Sequence, residues 1–328
     1  MILVLGGAGY IGSHAVKELL DRGYHVLVID NLSTGHRHSV DMRAVFVEGN
    51  IGDCMLLERI FTQYNIEVVM HFAASCLVGE SISKPLEYYE NNVINTFHLL
   101  KVMIKNNIKK IIFSSTCATY GLAETEFLNE ESPPSPINPY GRSKLIVEQM
   151  IDDCFKVYGL EYIILRYFNV AGADFSGRIG EHHDPETHLI PNVFLHLLGK
   201  SKHIAVFGND FRTVDGTCIR DYIHVLDLVE AHILSLQALL NSSSVGKVYN
   251  IGNNKGYSVK QIIEECERLT NKKANIVYEK RREGDPPYLV ASAKKIGEEL
   301  GWVPKYSLED MLRSAWQWHR NNPDGYNN

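Results

Sequence analysis

Short, uninterrupted apolar runs alternate with longer amphipathic stretches through the first half of the chain. Ile2–Leu5, His25–Asp30, Ala44–Glu48, Val68–Phe72, Lys110–Ser115 and Glu161–Arg166 lack the in-and-out alternation of a half-exposed strand. Parallel strands show such runs when helices cover both faces of their sheet. The stretches between carry apolar residues at helical spacing. They predict a helix that ends near Arg22 with Gly23 closing it, then helices over Cys54–Tyr64, about Pro85–Asn106, and Pro139–Tyr158. Strand and helix repeated in this order imply right-handed crossovers and an α/β fold built on a doubly wound parallel sheet.

After Gly172 the rhythm breaks. Ala173–His188 is rich in Gly, His, Asp and Glu and reads as an exposed loop. Beyond it the pattern predicts a helix over Pro191–Leu198, a strand over Ile204–Phe207 and a helix near Val225–Leu240. Ser258 caps a further helix with Val259, Ile262, Ile263, Cys266 and Leu269 on one face. Ser307-x-x-Asp310 has the form of a capping box before a last helix. The expected organisation is a first domain over 1–172 and a smaller mixed α/β domain over 173–328, packed on the carboxyl edge of the sheet. The segment about 219–240 should pack back on the first domain.

Composition narrows the function. A chain of 328 residues has room for two domains, and 45% hydrophobic with 22% charged residues is ordinary for a globular protein. Net charge of −6 offers no basic field for nucleic acid or an anionic membrane surface. An anionic ligand must therefore be held by a local cluster of donors. No apolar run reaches the ~18–20 residues of a membrane span, and the N-terminus lacks the charged leader of a signal peptide. The six cysteines are scattered with no Cys-x-x-Cys, which argues against a disulfide scaffold or a zinc site and for a reducing cytosol.

The first turn carries chemistry. Gly6-Gly7-Ala8-Gly9-Tyr10-Ile11-Gly12 lies between the first strand and the first helix. Glycines there permit a tight turn and let backbone N–H groups meet a pyrophosphate at the helix start. Asp30 closes the second strand, where an acidic side chain accepts from ribose hydroxyls and repels a 2′-phosphate, favouring NAD over NADP. His36, Arg37 and His38 are nearby cations that could instead serve a 2′-phosphate.

Tyr140 and Lys144 stand four residues apart, on one helix face, in the helix after the fifth strand. A phenol of ordinary pKa near 10 is a poor base at neutral pH, and a nearby ammonium lowers that value. Phe113-Ser114-Ser115-Thr116 brings hydroxyls to the carboxyl end of the preceding strand, where ligands of such sheets bind.

Further segments follow in order: Asp30-Asn31-Leu32, Phe72-Ala73-Ala74, Val78-Gly79-Glu80-Ser81, Tyr89-Glu90-Asn91-Asn92, Arg166-Tyr167-Phe168-Asn169, Asp215-Gly216-Thr217 before Arg220-Asp221-Tyr222-Ile223-His224, and Arg281-Arg282-Glu283-Gly284-Asp285. Together they resemble the extended short-chain dehydrogenase/reductase superfamily, in its UDP-sugar 4-epimerase branch, over the whole chain. That resemblance implies a Rossmann domain, bound NAD, a UDP-hexose substrate such as UDP-glucose or UDP-galactose, and a homodimer. It implies Tyr140 as catalytic base, Lys144 as its tuning partner on the nicotinamide ribose, and Thr116 as the hydroxyl on the sugar's 4′-oxygen. NAD contacts are implied at Gly6, Gly9, Tyr10, Ile11, Gly12, Asp30, Asn31, Ser33, Thr34, Gly35, Asn50, Ile51, Phe72, Ala73, Ala74, Asn91, Ser114 and Phe168. Substrate contacts are implied at Asn169, His188, Leu189, Phe207, Arg220, Tyr222, Arg282, Asp285 and Leu289.

Three positions depart from the pattern: Asn50 stands where Asp is common, Cys76 where Lys is common, and His188 where Asn is common. Leu289 occupies a position where a Tyr goes with rejection of N-acetylated sugars. The implied dimer pairs helices around Asn91–Asn106 and Pro139–Tyr158, with Met103, Ile146, Met150 and Ile151 either at that interface or in the subunit core. Rival functions differ at identifiable residues. A 4,6-dehydratase wants Thr-Asp-Glu where this chain has Thr116-Cys117-Ala118, a glucuronate enzyme wants a cation for the C6 carboxylate, and a non-catalytic nucleotide sensor usually lacks the Tyr or the Lys.

Overall fold

The computed structural model describes residues 1–122, 127–241, 245–282 and 285–326. Glu283 and Gly284 of the arginine-rich segment lie outside the described residues. The chain opens with β1 (Ile2–Leu5), α1 (Tyr10–Asp21), β2 (Val26–Asp30), β3 (Val45–Glu48), α2 (Cys54–Gln63) and β4 (Val68–His71). A short helix α3 (Val78–Ser83) is followed by α4 (Pro85–Tyr89), which runs through a π-helical segment, Glu90–Ile94, into α5 (Asn95–Lys105). The expected regular helix over Pro85–Asn106 is thus a helical path with a π bulge, a feature frequent at functional sites. Then come β5 (Lys110–Thr116), α6 (Pro139–Tyr158) and β6 (Glu161–Tyr167).

The remainder holds β7 (Asn169–Ala171), α7 (Leu189–Leu197), β8 (Ile204–Phe207), β9 (Ile219–His224), α8 (Val225–Asn241), β10 (Gly246–Ile251), β11 (Gly256–Ser258), α9 (Val259–Thr270), β12 (Ile276–Glu279), β13 (Tyr288–Leu289), α10 (Lys294–Leu300) and α11 (Leu308–Asn321). Full capping boxes open α9 and α11, at Ser258 with Gln261 and at Ser307 with Asp310.

Seven parallel strands form the main sheet in the order β10-β6-β5-β4-β1-β2-β3. Chain direction along the sheet reverses between β1 and β4, which places a crevice at the carboxyl ends of those two strands. The reason for the continuous apolar runs is visible in β1. Ile2 and Val4 pack into the layer with α1 and α8, while Leu3 and Leu5 pack into the layer with α2, α5 and α6. Each such buried aliphatic side chain contributes ~1.5–3 kcal/mol. This is a Rossmann-type sheet. Because α8 and β10 belong to it, a division after residue 172 separates them in sequence from the layer they join in space.

A second lobe covers the carboxyl edge. β9 pairs with β7 and β13 in parallel and with β11 antiparallel, β8 pairs with β12, and α7, α9 and α11 share a core. One expectation needs correction. The segment Ala173–His188 is a loop, but Ala173, Asp174, Ile179 and Glu181 are buried. Of the four apolar positions left open between interface and core, Met103 and Ile151 are fully buried in the subunit, Met150 is half-buried against the same core, and Ile146 is exposed.

Candidate active site

The glycine turn connects β1 to α1 and is packed from below. A Cβ on Gly6 would meet Ala73 N at 2.5 Å, and one on Gly12 would meet Gly6 O at 2.1 Å, so both positions exclude side chains for internal reasons. Gly9 is different: its Cβ would find only Gly6 O, at 3.5 Å. Gly9 is the N-cap of α1 and no side chain caps that helix, so its first N–H groups face the crevice without an internal acceptor. The Asp30 carboxylate accepts from Ala8 N at 2.9 Å and from Leu32 N at 2.8 Å, which fixes the acid beside the turn and leaves lone pairs on both oxygens. Burial raises its pKa, against the pull of those two N–H groups.

The loop after β2 wraps the same turn, with His36 N donating to Ala8 O at 2.9 Å and Ser33 N to Asn31 Oδ1 at 3.1 Å. Arg37 lies over the Phe46 ring at 4.4 Å, and His36 stacks on His182 and Tyr326. Asn50 and Ile51 follow β3, Phe72, Ala73 and Ala74 follow β4, and Phe168 follows β6. The positions expected to touch a dinucleotide therefore gather at the carboxyl ends of consecutive strands. An uncapped helix start, a Cβ-free cradle at Gly9 and a fixed acid fit the diphosphate and ribose of NAD.

Thr116 ends β5 and Tyr140 lies in the first turn of α6, and the Thr116 hydroxyl is among the groups acting on the Tyr140 phenol. Asn138 caps α6 by accepting from Gly141 N at 2.8 Å, which sets Tyr140 in the first turn and Lys144 one turn on. Lys144 Nζ donates to Ser114 O at 2.9 Å and lies 4.8 Å from the Phe113 ring centre. Tyr140 and Lys144 are both buried. Burial holds the Tyr140 phenol well above 10, opposed by the Thr116 hydroxyl. It also pushes Lys144 down to about 8, against the thiol of Cys76 and the carboxylate of Glu148. The depression of the phenol's pKa by Lys144 expected from the sequence is absent in the protein alone, where burial sets its direction. Cys76 itself is open to solvent in the loop after β4.

A network that sequence reading missed holds this pair. Asn92, in the π-helical segment, receives Ser75 N at 2.8 Å and donates to Ser75 O at 3.0 Å and Ser143 Oγ at 2.9 Å. Ser143 Oγ in turn donates to Tyr140 O at 2.7 Å. Asn91 reaches Ser75 Oγ at 3.0 Å, and Ser114 Oγ meets His232 Nε2 at 3.2 Å. Only the doubled Asn in Tyr89-Glu90-Asn91-Asn92 hinted at it.

The second lobe contributes the rest. Register sets Asn169 beside Tyr222 and Leu289 beside Arg220 across β9. Arg220 is buried and donates to Asp285 Oδ1 at 2.5 Å and to Pro286 O at 2.8 Å, so these two expected contacts are bonded to each other. Arg282 lies over the Phe207 ring at 3.9 Å. Leu289 packs against a cluster containing Cys117, Tyr120 and Phe168, next to Thr116. His188 is the N-cap residue of α7, directly before Leu189, and its Nδ1 is 2.9 Å from Glu186 Oε1.

The chain belongs to the NAD dependent epimerase/dehydratase family, whose sequence pattern matches residues 2–252. It is 52% identical over 326 residues to the UDP-glucose 4-epimerase of Halalkalibacterium halodurans, spanning 99% of this chain and 97% of that one. Its fold superposes with TM-score 0.94 on the crystal structure of UDP-glucose 4-epimerase from Bifidobacterium longum in complex with NAD⁺ and UDP, 39% identical and covering 99% of each chain. The UDP-Glc/GlcNAc 4-epimerase from Campylobacter jejuni superposes with TM-score 0.84, also 39% identical, over 98% of this chain and 99% of that one.

Proposed function

We propose that this chain is an NAD-dependent UDP-hexose 4-epimerase that interconverts UDP-glucose and UDP-galactose, a step of galactose metabolism. The observation that carries the reading is three buried groups at the carboxyl end of β5: Thr116 on that strand, and Tyr140 and Lys144 one turn apart on α6, with Lys144 bonded to Ser114 O. Tyr140 takes the proton of the sugar's 4′-hydroxyl, Thr116 holds the oxygen it leaves, and Lys144 supplies the positive charge that steadies the phenolate. NAD, when bound, supplies reversible hydride acceptance at C4 of the sugar. Between the two halves of the reaction the 4-keto sugar turns about its diphosphate. The chain must therefore grip UDP firmly and the hexose loosely. Asn169, Arg220 and Arg282 are the proposed UDP contacts, with Phe207 and Tyr222 against the uridine. Six free cysteines suit a reducing cytoplasm, and no described helix is long and apolar enough to cross a membrane.

The test is incubation of the purified protein with UDP-galactose, without added NAD, and resolution of the products. UDP-glucose should form to equilibrium. Recovery of unchanged UDP-galactose from NAD-loaded protein would favour a nucleotide sensor. The same assay addresses breadth. Leu289 lacks the ring and hydroxyl of a Tyr, so an acetamido group at C2 should be accommodated and UDP-N-acetylgalactosamine should epimerise at a comparable rate. Leu289→Tyr should slow only the N-acetylated pair, because overpacking costs ~1–3 kcal/mol, or ~5–150-fold. An unmodified protein that ignores UDP-N-acetylgalactosamine sinks this assignment.

The proposed assembly is a homodimer through α5 and α6. Ile94 and Phe97 are about half exposed, at 49% and 50%, and Ile146 at 37% lies on the neighbouring helix. Light scattering should give twice the 37.1 kDa chain mass, and a persistent monomer at micromolar concentration counts against it.

A further inference from the structure

The loop between β7 and α7 contains a cluster outside the chemistry of Tyr140, Thr116 and Lys144, although its last member, His188, also stands at an implied substrate contact. Within eight residues it carries Glu181, His183, Glu186 and His188, and one ligating atom from each lies within 4.8 Å of the others. The His188 Nδ1 is 2.9 Å from Glu186 Oε1 and 3.1 Å from Glu181 Oε1. The His183 Nδ1 is 3.4 Å from Glu186 Oε2 and 3.5 Å from Glu181 Oε1. We propose that these four side chains bind one divalent transition-metal ion of the zinc class, in closed tetrahedral coordination.

Geometry and donor chemistry carry the proposal. A tetrahedron with ~2.0–2.1 Å bonds has edges of roughly 3.3 Å; Glu181 Oε1 lies 3.1 and 3.5 Å from the two Nδ1 atoms, and Glu186 meets His188 through Oε1 at 2.9 Å and His183 through Oε2 at 3.4 Å. Two imidazoles with two carboxylates suit zinc, whereas calcium and magnesium take all-oxygen shells. Without a metal, each Nδ1–H donates to a carboxylate, which leaves both rings, 4.8 Å apart centre to centre, directed at the same Glu181 oxygen. One cation among neutral rings and two carboxylates satisfies all four donors at once.

A second observation is independent of that geometry. Glu181, His183 and Glu186 also line a cavity of about 170 Å³ together with His319, which is only 4% exposed. The Nε2 of His319 has no hydrogen-bond partner among the described residues. An unpartnered, enclosed nitrogen in the cavity wall is a polar atom left unsatisfied there, and the cavity gives an ion a route to the two carboxylates.

Four protein ligands leave no open position, so the ion is structural. It would pin the loop at both ends. His183 meets the Tyr10 ring edge-on at 6.5 Å, at the start of the nucleotide-binding helix, and His188 begins α7. The inference does not depend on the epimerase reading.

Tag-free, full-length protein stripped with chelator and titrated with zinc chloride should bind one ion per chain by calorimetry and elemental analysis. Cobalt(II) should give the intense visible bands of tetrahedral coordination. Glu186→Gln preserves shape and His183→Ala removes a ligand; each should abolish stoichiometric binding and the cobalt bands. Only trace metal in the wild type overturns the site, as does unchanged stoichiometry in either variant. Weak, octahedral-type cobalt spectra overturn it as well, without needing any variant to fold.

Discussion

Tyr140→Phe is expected to keep its NAD and its fold while epimerising UDP-galactose ~10²–10⁴-fold more slowly, the usual contribution of a positioned general base. The phenol is 8% exposed, and its edge contact with Tyr88, at 6.5 Å between ring centres, survives the change. Stability should change by no more than about 1 kcal/mol, because a single hydroxyl leaves a ring that stays in place. Burial works against this base, since it holds the phenol well above 10. The charge that makes a phenolate accessible must come from Lys144 and from the oxidised nicotinamide ring. The variant therefore separates binding from chemistry. Turnover, cofactor released on denaturation, and thermal midpoint are the three readouts, and near-wild-type turnover removes Tyr140 from the mechanism.

The core of the fold was legible because burial on both sheet faces leaves a trace in consecutive residues. Ile2–Leu5 could be nothing but apolar when its alternate side chains enter two different layers. Edge and short elements leave no such trace. β10 begins Gly246-Lys247-Val248 at the open edge of the sheet, with Lys247 exposed, and β7, β11 and β13 have only two or three residues each. The loop Ala173–His188 was misread because its residues are polar. Its burial depends on distant partners: Asp174 pairs with Lys17 at 3.4 Å and its N–H is received by His14 Nε2 at 3.1 Å.

The site divides in the same way. Tyr140 and Lys144 are one helical turn apart, so local spacing sufficed. The glycine turn needed only its position between a strand and a helix. The mutual pairing of Arg220 and Asp285, 65 residues apart, is a tertiary fact that no spacing encodes. Nor does local pattern encode the Asn92 bridge from Ser75 to Ser143, which depends on a π bulge.

Acid should destabilise this protein well above the carboxylate range, and the reason lies in its buried histidines. His14, His71, His224 and His232 are at most 1% exposed, and burial pushes them down to about 4, 3, 3 and 4. For two of them the hydrogen bonds require a neutral ring. His14 Nε2 accepts Asp174 N while its Nδ1 donates to Tyr10 O at 2.7 Å. His224 Nδ1 accepts Leu226 N at 3.0 Å. A histidine whose pKa is lowered by folding is protonated first in the unfolded chain, so its stabilisation is complete above ~6.5 and falls as pH drops toward the folded value. At pH 5 the loss is about 2 kcal/mol for each. Asp221 and Glu181, both pushed up to about 7 by burial, act in the opposite sense. They return roughly 2–3 kcal/mol each at pH 5, about two-thirds of that loss, leaving a net loss on the order of 3 kcal/mol from ~5–15 kcal/mol of total stability. With chelator present, the thermal midpoint should hold from pH 8 to 7 and then fall by roughly 3–6 °C by pH 5, because unfolding 328 residues carries an entropy of about 0.7 kcal/mol/K. His14→Gln, which can still donate to Tyr10 O, should flatten that slope by its share. A midpoint that stays level between pH 7 and 5 would mean these rings do not titrate on unfolding.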